Sequence, residues 1–128
     1  MFEEFQFTEP GDVIKARINV TDLVQISYDI VLNKVDREGN NTLVETWNGN
    51  TSETTEITLD IPPTDPEAVA YLLSWACAAA AAIDTPEGTD FEGSISIHQG
   101  DSELGKVPFS GNTVTNNTFE GRVFLKRA

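Results

Sequence analysis

Residues 68–83, AVAYLLSWACAAAAAI, run for sixteen positions without a charge in a chain whose residues are 23% charged. Whatever the chain folds into must hide that stretch from water. Read at helical spacing, Val69, Leu72, Leu73, Ala76, Ala80 and Ile83 fall on one face. Tyr71, Trp75, Ala78 and Ala82 fall on the other, so neither side of such a helix is suited to solvent. The alanine run has high helix propensity. Flanking signals agree: Thr64 and Glu67 have capping-box spacing, and Pro66 fits a first turn. Asp65 and Glu67 complement the positive end of the dipole, while Pro86 and Gly88 stop the pattern. The spacing therefore predicts one buried α-helix over about 65–83. Its second face, Tyr71, Trp75, Ala78 and Ala82, is the expected oligomer interface, because a 128-residue chain has few means of covering both sides.

Elsewhere the pattern is that of strands. Phe5 and Phe7 belong to a short extended segment closed by Pro10-Gly11. Ile14, Ala16, Ile18 and Val20 alternate with polar residues, as do Val24, Ile26, Tyr28, Ile30 and Leu32. A three-residue loop at 21–23 would place all of these on one face of a hairpin. A turn at 36–40 returns the chain through 42–47, and Asn48-Gly49 reads as a second hairpin turn leading into Ile57 and Leu59. After the apolar stretch, Phe91, Gly93, Ile95 and Ile97 alternate with polar residues up to a turn at 99–102. Residues 104–109 form a weaker strand that Pro108 assigns to a sheet edge. Residues 110–112 read as a turn, and Phe119, Gly121, Val123 and Leu125 form the last strand. Phe91-Glu92-Gly93 and Phe119-Glu120-Gly121 echo each other, as neighbouring strands bent at glycine would. The expected fold is one mainly β domain over 1–128: an antiparallel β-sandwich or open barrel of seven to eight strands plus the helix.

Charge restricts the partners. Twenty-one acids against eight dispersed bases give a net charge of −13. No basic cluster could replace the counterions of a nucleic acid or hold an anionic membrane surface. The acidic start of the chain has no apolar leader segment, so a cytoplasmic or particle-associated location is expected. At about 1.5 Å per helical residue, the apolar stretch is also too short for a ~30 Å bilayer core.

Reactive groups are sparse. Cys77 and His98 are the only residues of their kinds, which leaves no zinc ligand set and no nucleophile with an evident base. Cys77, among alanines, reads as a small buried hydrophobe. No cofactor motif occurs, and the chain reads as a non-enzyme without metal or cofactor. Two functions fit. The first is a structural or assembly module that self-associates; by analogy of fold class, subunits of phage tail tubes are acidic sandwiches with one helix. The second is a binding module, for carbohydrate at Trp47, Asn48 and Asn50 or for a basic protein partner.

Overall fold

The computed structural model describes residues 3–8, 13–20, 24–51, 55–59, 68–81 and 88–127. These form nine strands in two sheets: β1 (Glu3–Phe7), β2 (Ile14–Val20), β3 (Val24–Asp36), β4 (Asn41–Thr51), β5 (Thr55–Leu59), β6 (Ala68–Ala81), β7 (Asp90–Gln99), β8 (Ser102–Asn112) and β9 (Thr118–Arg127). The first sheet has the order β1-β9-β6-β3-β4 and the second β5-β2-β7-β8. All pairings are antiparallel except β1 with β9. One apolar cluster, drawn from the inner faces of both sheets, lies between them.

The expected helix is not formed. Ala68–Ala81 is β6, the central strand of the five-stranded sheet, paired with β3 on one side and β9 on the other. The proposed capping residues 64–67, with Ala82, Ile83 and Pro86, lie outside the described residues. A continuous apolar run suits a buried strand as well as a buried helix, and periodicity alone does not separate them. Alternation within the run decides its placement. Tyr71, Leu73, Trp75, Cys77 and Ala79 are buried, while Ser74 and Ala78 are half-buried and Ala76 and Ala80 exposed. Alanine's helix preference is roughly 0.5 kcal/mol per residue, or about 3 kcal/mol over seven alanines. Burial of Tyr71, Leu73 and Trp75 contributes roughly 1.5–3 kcal/mol for each side chain. As a strand the segment also satisfies the inner backbone edges of β3 and β9, which a helix would leave unpaired.

The expected β2–β3 hairpin is not formed either. β2 pairs with β5 and β7, whereas β3 pairs with β4 and β6. Ala16 and Ile18 do share a core with Val24, Ile26, Ile30 and Leu32, but from the opposite sheet. Alternation specifies which face is buried and leaves the pairing partner open.

Asn48-Gly49 is likewise not a turn. β4 continues to Thr51, and Gly49 is not among the positive-φ glycines that such a turn requires. Its role is spatial. Gly49 is the register partner of Tyr28, whose hydroxyl would lie 2.9 Å from an added Cβ. The same pairing occurs at Phe109 with Gly93, Phe91 with Gly111 and Trp75 with Gly121. At four positions an aromatic ring thus lies over the glycine beside it, restoring burial that the glycine lacks. The repeated Phe-Glu-Gly therefore does not mark neighbouring strands, since Gly93 and Gly121 lie in different sheets. Phe91 and Phe119 instead meet across the sandwich, 6.1 Å apart, and Phe109 stacks on Phe119 at 4.1 Å. The turn expected at 110–112 moves on by three residues, to 113–115, because β8 extends to Asn112.

Gly121→Ala tests this packing. A Cβ there would lie 2.6 Å from Cζ2 of the buried Trp75. Overpacking of this kind is expected to cost about 1–3 kcal/mol, read as a lower urea midpoint at unchanged m-value.

Candidate functional site

β6 turns Leu72 outward near its start, and beyond it the small side chains of Ser74, Ala76 and Ala78. They line the floor of a shallow trough on the outer surface of the five-stranded sheet. Register places Ser27 and Asp29 of β3 on one wall, backed by Asn50 and Asn48 of β4. Thr118 and Glu120 of β9 form the other wall. The hollow over Ala76 and Ala78 has a volume of about 900 Å³. A second hollow, of about 680 Å³, continues it past Ser74 to Val31 and Arg122. Ser27 Oγ donates to Asn50 Oδ1 at 2.6 Å, tying the two polar rows together. Beneath the floor the Cys77 thiol is pushed up to about 12, by burial first and then by the Asp29 charge. It is a packing group rather than a nucleophile.

β4 borders this surface, and its hairpin with β3 holds it in place. Asp36 Oδ1 accepts from the backbone N–H groups of Glu38 and Asn40, at 2.9 Å each, and Gly39 has φ 83°. These bonds, Asn40 first, hold the Asp36 carboxyl below its ordinary value of 3.8. This turn is the one expected from the sequence.

The outer side of β4 pairs with no described strand, so β4 is an edge. Three other strands also end a sheet, and each is blunted. β1 and β5 have only five residues. β8 carries Lys106 and Pro108, and Phe5 of β1 covers its Gly105. Short length, lysine and proline are the usual devices that prevent edge-to-edge pairing. β4 runs for eleven residues with neither proline nor lysine and with Glu45 as its one charge. Its single irregularity is a register shift opposite Leu32/Asn33, which leaves residues 45–51 in regular pairing with β3.

On the outer surface of the second sheet, Lys15, Arg17 and Glu56 form a paired cluster. Glu56 receives Arg17 at 2.8 Å and Lys15 at 3.0 Å, and these bonds hold its carboxyl below the usual range. His98 Nε2 lies 2.8 Å from Ser96 Oγ, the arrangement of a serine and its base. Ser96 is only 2% exposed, however, and its oxygen also accepts from Asn19 at 2.9 Å. No substrate can approach that hydroxyl without displacing the network. Among the described residues, no three His, Cys, Asp or Glu side chains gather as a metal site.

The residues singled out for carbohydrate do not converge. Trp47 packs against the core, while Asn48 and Asn50 are exposed on the trough wall, because successive strand residues face opposite ways. The proposed interface residues are also dispersed. Tyr71 and Trp75 are buried in the core, at 1% and 5% exposure, and are closed to any partner. Ala78 faces the trough, and Ala82 lies outside the described residues. The open edge of β4 was missed because Asn48-Gly49 read as a turn. The signal available was the absence of proline and lysine over 41–51. Comparisons with protein-family models, with curated proteins and with solved structures gave no match.

Two outcomes follow. In folded protein at pH 8, Cys77 is expected to resist a disulfide reagent and to react promptly once urea unfolds the chain; rapid native labelling would contradict its burial. Because Asp36's carboxyl is depressed in the folded state, its contribution is present above 3.8 and is lost as pH falls through the lower folded value. Asp36→Asn, an uncharged acceptor, should therefore lose less of its urea midpoint than wild type on acidification below that point.

Proposed function

We propose that the chain is a non-enzymatic structural or assembly module that associates with copies of itself through the five-stranded sheet. The observation that carries this reading is the unblunted edge of β4, where the other three edges among the described strands are short or guarded. Over residues 41–50, backbone donors and acceptors on an edge that no described strand pairs are a template for another strand. The analogy with tail-tube subunits narrows to the sandwich alone, since the helix it included is a strand, and it adds no weight. Binding of a basic protein is the second reading, favoured by the net charge of −13. A carbohydrate site loses its aromatic plate with Trp47 turned inward.

Light scattering over a rising concentration series tests the reading. A mass above the 14.0 kDa of one chain is expected, whereas a strict monomer at millimolar concentration would contradict it. Salt separates the two partners. Copies that repel one another should associate more tightly as salt screens their charge, the screening length being about 10 Å at 0.1 M. A complex with a basic protein should weaken instead.

A further inference from the structure

We infer that the strand which completes β4 is β4 of a second copy, running antiparallel about a two-fold axis within residues 46–48. The two five-stranded sheets then become one continuous sheet of ten. This deepens the self-association reading above and rests on it.

Length and hydrogen-bonding capacity select the partner. An eleven-residue edge finds an equal only in β8 or in another β4, since β1 and β5 offer five residues each. β8 lacks the N–H of Pro108, carries Lys106 and lies under Phe5 at Gly105. A second β4 has every backbone N–H in place.

Charge points the same way. Two copies each at −13 repel, so the surface where they meet must bring few acids together. β1 contributes Glu3 and Glu4 within five residues, whereas β4 contributes only Glu45. With the axis between Thr46 and Asn48, the residue opposite Glu45 lies within 47–51 of the partner, all of them uncharged. The remaining side chains of 45–51 are Thr, Asn, Trp and Gly, with Thr46, Asn48 and Asn50 exposed for cross-strand hydrogen bonds. Self-pairing of one edge is isologous and closes at two copies.

The test uses the whole chain. Wild type should sediment as a dimer whose mass does not grow further with concentration. Thr46→Lys with Asn48→Lys gathers four like charges, two from each copy, along the shared edge and should weaken the dimer by about tenfold or more. The same two lysines at Gln6 of β1 and Thr58 of β5 should not weaken it. Since both double variants reduce the net negative charge equally, general repulsion alone predicts tighter association for each. Hydrogen exchange on wild type supplies a reading free of mutation: β4 amides should slow as concentration rises, and those of β1, β5 and β8 should not. A stable oligomer indifferent to the β4 lysines, or one that grows without limit, overturns this pairing and leaves self-association standing. A monomer at every concentration overturns both.

Discussion

The backbone ladder on either side of β6 is the constraint on which the rest of the molecule depends. It joins β3 and β4 to β9 and β1, so the five-stranded sheet exists only because the alanine-rich segment is extended. The same strand delivers Tyr71, Leu73 and Trp75 to the core on its inner face. On its outer face Ser74, Ala76 and Ala78 are so small that the sheet is grooved over them rather than padded. A single choice of backbone conformation thus sets the core, the sheet order and the shape of the exposed surface.

The cross-strand glycines form a second layer of the same design. Tyr28, Phe91, Trp75 and Phe109 each occupy space left by the glycine paired with them. Large rings fill the space over glycine, and Phe109 and Phe119 stack between the sheets at 4.1 Å. Glycine weakens a strand taken alone, and the covering ring restores both burial and rigidity. Packing therefore explains why glycines occur inside four of the pairings.

Where the sequence was legible, the signal was local. Alternation through Ile14–Val20 and Val24–Leu32 identified the buried faces, and Asp36 to Asn40 identified a turn through its own side-chain hydrogen bonds. Pro108 marked an edge. Where it was illegible, two structures answered to one pattern. The alanine run satisfies a helix by propensity and a central strand by alternation, and only its neighbours in space decide. Inward faces of β2 and β3 suit a hairpin or opposite sheets equally well. Gly49 resembles a turn residue until Tyr28 is seen lying over it. The Trp47, Asn48 and Asn50 grouping is split between the two faces of β4, because adjacent strand residues diverge.

Nuclear Overhauser contacts of the alanine segment test the account most directly. With β6 extended, protons of Ala76 should lie close to those of Asp29 on one side and Glu120 on the other, and Ala78 close to Ser27 and Thr118. Contacts between residues three apart along 72–81, with helical carbon shifts for the alanines and none of those cross-strand signals, would contradict it.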